Sequence, residues 1–178
     1  MNKDNIINIG IDLGTSRTVI ACDNGVRTYT PSFVGFPKDA VSAKLFGKDM
    51  VFGEEAVKHR MAMDLYRPFE TLKLKFSDGV KEDNEEYKKA FKAARHILQH
   101  MVDKAKESGE LYGASNLKIR GVIGAPALAS IRNRKAFLDI ARGIIDDVMV
   151  ASEPFCVAYG LGLLTNAFIV DIGAGTVE

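Results

Sequence analysis

Two stretches at opposite ends of the chain share one form. "IGIDLGTSRT" (Ile9–Thr18) and "FIVDIGAGTVE" (Phe168–Glu178) each run from apolar residues into an aspartate, an apolar residue, a glycine and small residues, with a threonine close behind. An apolar strand fixes whatever stands at its carboxyl end. Asp12 or Asp171 placed there presents a hard oxygen ligand on a rigid base. That suits Mg²⁺, which takes few carboxylates and keeps many waters. Gly14 in one loop, and Gly173 and Gly175 in the other, leave backbone N–H groups free to approach phosphate oxygens closely. Thr15, Ser16, Thr18 and Thr176 add hydroxyl donors. Either loop alone is a common turn. The matched pair, facing each other, could clamp a polyphosphate and its Mg²⁺ from both sides.

Other candidates are weaker. Glu153 follows Ser152, a residue suited to cap a helix, and a helix N-terminus favours the carboxylate form. From the residues alone it is equally a first-turn acid with no chemical task. His96 and His100 stand four apart on a predicted helix, but no HExxH pattern surrounds them, so they read as a packed or solvated pair. "GLGLLT" at Gly160 follows a helix rather than a strand, which rejects it as a dinucleotide motif. No GKS or GKT occurs, so a P-loop is excluded. Cys22 and Cys156 sit in apolar contexts and read as small buried residues of a reducing compartment.

The elements that must position the loops follow from patterning. The chain has 178 residues, 47% hydrophobic and 26% charged, with a net charge of +1. This is the size and composition of one well-buried domain, and the charge gives no sign of a nucleic-acid partner. The longest uncharged run, Pro154–Val170, is broken by Gly160, Gly162, Thr165 and Asn166 and does not read as a membrane span. "NIINIGIDLG" reads as a buried strand. Asn24-Gly25 signals a two-residue hairpin turn. "SFVGF", "KLFGKD" and "MVFG" read as short β pieces, and "GEEAVKHRMAMDLY" begins as a helix. Lys73–Asp83 reads as a loop. "NEEYKKAFKAARHILQHMVDKAKESG" is the clearest helix, with Tyr87, Phe91, Ala94, Leu98, Met101, Val102 and Ala105 on one stripe. "LKIRGVIGAP", "DVMVAS" and "AFIVDIG" read as strands, with helices at "LASIRNRKAFLDIARGI" and "SEPFCVAYGLGLL" between them. Antiparallel strands followed by βα alternation predict an α/β fold, a mixed sheet with helices on both faces.

These residues carry a resemblance. "GIDLGTSRT" and "VDIGAGTVE" resemble the first and second phosphate loops of the actin, Hsp70 and sugar-kinase superfamily. "SEPFCVAYGLG" resembles the helix that joins the two lobes in bacterial actins. "FGEEA" and "YRPF" are similar to stretches of the MreB type, and "SFVGFPKDAVSAKLFGKDMVFGEEA" is most similar to its MamK-like, magnetosome-filament branch. The resemblance covers essentially the whole chain. It implies a ribonuclease H-like, actin-like ATPase lobe over residues 1–165, with a small inserted subdomain at about 34–72. It further implies that residues 166–178 begin a second lobe whose remainder is missing, so that the chain is a half-site.

The resemblance also implies roles. Asp12 and Asp171 would hold Mg²⁺, mostly through waters. Gly14, Thr15, Ser16, Gly173, Gly175 and Thr176 would contact the phosphates of ATP. Glu153 would polarise the attacking water, with Asp171 and Thr176 completing the catalytic set. The implied protein is a cytoplasmic, cytoskeletal filament protein that self-associates and hydrolyses ATP, with magnetosome or membrane-associated partners. An Hsp70-like or sugar-kinase ATPase is the alternative, and an inactive remnant that binds full-length filaments is a third reading. ATP hydrolysis is expected of the full-length protein and not of this chain alone.

Overall fold

The computed structural model describes residues 5–70, 82–107 and 116–174. A five-stranded sheet forms the centre, in the order β3-β2-β1-β7-β8. Strands β1 (Asn5–Leu13), β2 (Arg17–Cys22) and β3 (Arg27–Pro31) run antiparallel, and β7 (Leu117–Ala125) and β8 (Asp147–Ser152) add in parallel with β1. This is the mixed sheet expected. Period-two alternation sets its faces. Ile7, Ile9, Ile11 and Leu13 of β1 point into the core, while Asn8, Gly10 and Asp12 point out.

A second sheet, β5-β4-β6, is antiparallel and uses β4 (Val34–Pro37), β5 (Val51–Phe52) and β6 (Met63–Tyr66). Two short helices accompany it, α1 (Ala40–Phe46) and α2 (Gly53–Lys58). The β piece expected at "KLFGKD" is instead the last turn of α1 and the bend that follows it. Asp39 caps α1 by accepting from the Ser42 N–H at 2.7 Å, a bond that holds its carboxyl pKa below the ordinary value. Gly47, in the left-handed region, ends the helix with its N–H on the Ala43 carbonyl.

Helix α3 (Glu85–Lys106) matches its predicted stripe. It buries Ala90, Ala93, Ala94, Ile97, Leu98, Met101, Val102 and Ala105, while Tyr87 and Phe91 pack at the margin. Its neighbour α4 (Ile131–Ala141) begins at Ser130, whose hydroxyl accepts from the Asn133 N–H. Arg95 of α3 donates to the carbonyls of Asp139, Ile140 and Arg142 at 2.8–3.1 Å. One guanidinium thus satisfies the open carboxyl end of α4. The helix α5 (Glu153–Gly160) lies over the other side of the sheet, where its side chains share a cavity with the outward residues Gly10, Val19, Ala21 and Val122.

Three further expectations need correction or limits. The hairpin joins β2 to β3 through four residues rather than two. Asn24 keeps a negative φ because its amide is drawn inward to the Ala105 carbonyl at 3.0 Å, leaving Gly25 alone with positive φ. The "AFIVDIG" segment forms no strand ladder. Phe168, Val170 and Ile172 are exposed, and among the described residues of the segment only Ile172 forms a bridge. Most of the predicted loop Lys73–Asp83, and Gly109 after α3, lie outside the described residues.

The two histidines of α3 carry a pH dependence. His100 stacks on Phe52 of the second sheet at 4.5 Å. Burial lowers its pKa below the ordinary imidazole value, Lys104 adds to the shift, and Asp103, Glu107 and Glu55 oppose it. Burial, then Lys92 and Arg95, lower His96, whose Nε2 is buried without a hydrogen-bond partner among the described residues. Unfolding restores both to about 6.5, so below that pH the unfolded chain binds more protons. Stability is therefore expected to fall as pH drops from about 7.5 to about 5.5. Urea unfolding at the two pH values checks this. His100→Phe, which keeps a ring against Phe52, should shrink the difference, and an unchanged pH slope would count against the assignment.

Candidate functional site

The register of the parallel strands gathers the predicted residues. Asp12 of β1 stands opposite Gly124 of β7, Gly124 opposite Ala151 of β8, and Glu153 follows two residues later at the start of α5. The carboxyl ends of these strands thus lie together, the usual place for a ligand on an open α/β sheet. A cavity of about 240 Å³ opens there. Asp12, Gly14, Thr15 and Ser16 line it from the β1–β2 turn, Glu153 from α5, and Asp171 and Gly173 from the final segment. The two loops that match in sequence meet in space. Gly175 and Thr176 lie outside the described residues.

Local geometry explains two of the glycines. A Cβ on Gly14 would stand 2.6 Å from the Arg17 carbonyl and 3.5 Å from Asp12 Oδ1. The turn closes on itself at that point and admits no side chain, and the Asp12 carboxylate reaches over it. Gly124, within the predicted strand "LKIRGVIGAP", has a task the sequence did not show. A Cβ there would stand 3.0 Å from Cγ of Glu153. Gly124 therefore makes the space in which the Glu153 side chain lies. Ser152 takes the N-cap position of α5 with extended backbone, but its side chain makes no capping bond.

Thr18 requires a correction. It is fully buried and its hydroxyl pairs with Ser32 Oγ at 3.0 Å, so it faces away from the cavity. Alternation along β2 dictates this, since Arg17 and Val19 point out and Thr18 points in. Arg17 was not anticipated at the site. It lines the cavity, and its guanidinium lies 5.1 Å from the Tyr29 ring centroid. Ser32 was also missed, because nothing in "TPSF" signals contact with a loop sixteen residues earlier.

The donor set fits a hydrated Mg²⁺ better than a caged metal. Among the described residues no three His, Cys, Asp or Glu side chains gather to hold an ion. Asp12 and Asp171, two of the three carboxylates lining the cavity, would leave most of a Mg²⁺ ion's coordination to waters and ligand oxygens.

The thiols stand apart from this chemistry. Burial, then Asp23, pushes the Cys22 thiol up to about 11. Burial, then Glu153, raises Cys156, which is half-buried rather than buried and lines a larger apolar cavity of about 700 Å³ beside the site. Both cysteines are free.

The model of the MreB/Mbl protein family matches residues 6–178. The chain belongs to the MreB/Mbl family. Actin-like protein MamK of Magnetospirillum gryphiswaldense is 41% identical over 170 residues, which cover 96% of this chain and 43% of that protein. Among solved structures, the MamK double helical filament superposes with a TM-score of 0.80 at 39% identity, covering 97% of this chain and 49% of that one. A non-polymerising MamK mutant bound to AMPPNP gives 0.79 at 38% identity, covering 98% and 49%. The fold is therefore actin-like. This MreB/Mbl chain spans just under half the length of the relatives it matches. No helix among its described residues is long and apolar enough to cross a membrane.

Proposed function

We propose that this chain carries the first-lobe half of the nucleotide cleft of an actin-like filament protein that binds and hydrolyses ATP with Mg²⁺. The observation that carries the reading is the convergence of both glycine turns and Glu153 on one cavity. The related MamK solved with AMPPNP, an ATP analogue, supports a nucleotide there. The MamK filament supports self-association. In this reading residues 1–165 form the first lobe, about 34–72 its inserted subdomain, and 166–178 the start of the second. The protein acts in the cytoplasmic cytoskeleton, and a role in organising magnetosomes rests on the MamK likeness alone.

Each residue then has a task. Gly14, Gly173 and Gly175 bring backbone N–H groups to phosphate oxygens, and the hydroxyls of Thr15, Ser16 and Thr176 donate to them. Asp12 and Asp171 would hold Mg²⁺, mostly through waters. When bound, Mg²⁺ neutralises charge that develops on the phosphates. Glu153 accepts a hydrogen bond from the attacking water and orients it, with Thr176 beside it. Phosphoryl transfer needs this positioning and charge stabilisation more than covalent chemistry.

Calorimetry with Mg²⁺-ATP tests the reading. Asp12→Ala is expected to weaken binding by about tenfold or more, the usual loss on removing a charged hydrogen-bonding group. Chelating Mg²⁺ should weaken the wild type to a similar degree. Equal, measurable affinity of wild type and Asp12→Ala would remove Asp12 from the proposed role.

A further inference from the structure

Ser32 is a fully buried polar residue outside the proposed cleft, yet three of its hydrogen bonds end on the first glycine turn or beside it. Its N–H donates to the Ser16 carbonyl at 2.9 Å. Its hydroxyl lies 2.7 Å from the Gly14 carbonyl and 3.0 Å from Thr18 Oγ1. A carbonyl can only accept, so the single Ser32 hydroxyl proton goes to Gly14, and Thr18 must donate to Ser32. The result is a directed chain, Thr18 O–H to Ser32 O–H to Gly14 C=O, with both hydroxyl side chains fully buried.

This chain fixes the turn. A trans peptide holds its C=O and N–H on opposite sides. With the Gly14 carbonyl drawn inward to Ser32, the Thr15 N–H points the other way. Thr15 lines the cavity and Ser32 does not. Ser32 also stands two residues before β4, and the Phe33 carbonyl between them accepts from the Gly53 N–H at 2.9 Å. The residue that pins the turn therefore sits in the two-residue link between β3 and the second sheet.

We infer that Ser32 is a positioning residue: it presets the Gly14–Arg17 turn for an anionic ligand and transmits the position of the second sheet to it. The inference rests on the cleft proposed above for its ligand, but not for its geometry.

Amide hydrogen exchange on the ligand-free chain tests the geometry, and calorimetry with Mg²⁺-ATP tests its consequence. In Ser32→Ala, exchange of the residue-32 amide, whose N–H donates to the Ser16 carbonyl of the turn, is expected to rise about tenfold or more while the α3 amides keep their protection. Mg²⁺-ATP affinity should fall by a similar factor. Thr18→Val keeps the shape of the buried pair and removes only the first donor, so it should fold even where Ser32→Ala does not, with a smaller rise at the same amide. Unchanged exchange of that amide in a folded variant would overturn the inference. So would loosening spread evenly through α3, which marks a merely structural serine. A turn that loosens in a chain whose wild type binds no Mg²⁺-ATP would uphold the positioning role and assign nucleotide binding to the complete two-lobe cleft.

Discussion

Leu98→Ala is expected to lower the unfolding free energy by about 2–5 kcal/mol, the range for emptying a packed leucine site. Leu98 is fully buried on α3, beside Ile97 and Met101 and among the largest enclosed side chains of the molecule. The site has little means of collapsing. Ala90, Ala93, Ala94 and Ala105 already let the α3 backbone sit close, and Arg95 ties the same helix to the end of α4 through three carbonyls. A cavity left at Leu98 therefore stays open, and the cost goes to the upper part of the range. Val41→Ala is the control, since Val41 is 77% exposed on α1 and its truncation should change stability by less than about 0.5 kcal/mol. Denaturant unfolding of both variants decides the matter. A Leu98→Ala loss no greater than the control's would mean that α3 does not anchor the core.

What the sequence revealed divides by range. α3 was legible because its apolar stripe repeats over 22 residues, and β1 because its apolar run is long and β-branched. α1 was not, because seven residues hold too few turns to display a period, and "KLF" is apolar in either conformation. Its caps, Asp39 and Gly47, were the available signal. The final segment failed for another reason. Strand propensity in "AFIVDIG" is real, but a strand exists only through its partners, and no ladder to the described residues forms.

The site divides in the same way. Asp12, Gly14, Thr15 and Ser16 are consecutive or nearly so, and their spacing displays the turn they form. Asp171 and Gly173 were found because their loop repeats that spacing. Gly124, Ser32 and Arg95 act on residues far away in sequence, and no local pattern records such a partner. Thr18 shows the reverse error. Its hydroxyl counted as a donor to the site, whereas alternation along β2 had already turned it inward.

Gly53→Ala is expected to cost about 2–5 kcal/mol, from two causes that add. Gly53 has a φ of +57°, a conformation that costs a residue with a Cβ about 1–2 kcal/mol. The new Cβ would also overlap Thr30 Oγ1, with Pro31 Cδ at 3.2 Å and Thr30 Cβ at 3.4 Å. Rotating Thr30 about χ1 could move its hydroxyl but not its Cβ, and at 5% exposure the rotated side chain has little room. Such overpacking adds about 1–3 kcal/mol. The strain falls at the junction of the two sheets, where the Gly53 N–H meets the Phe33 carbonyl next to Ser32. Gly53→Ala should therefore loosen more than its own turn. Exchange at Gly53 and at Ser32 is expected to rise together, while β7 and β8, on the far side of β1, keep their protection. Denaturant unfolding supplies the energy and hydrogen exchange the location. A variant as stable as wild type would refute the steric argument, and one that loosens at Gly53 while Ser32 stays protected would show that the two sheets move independently.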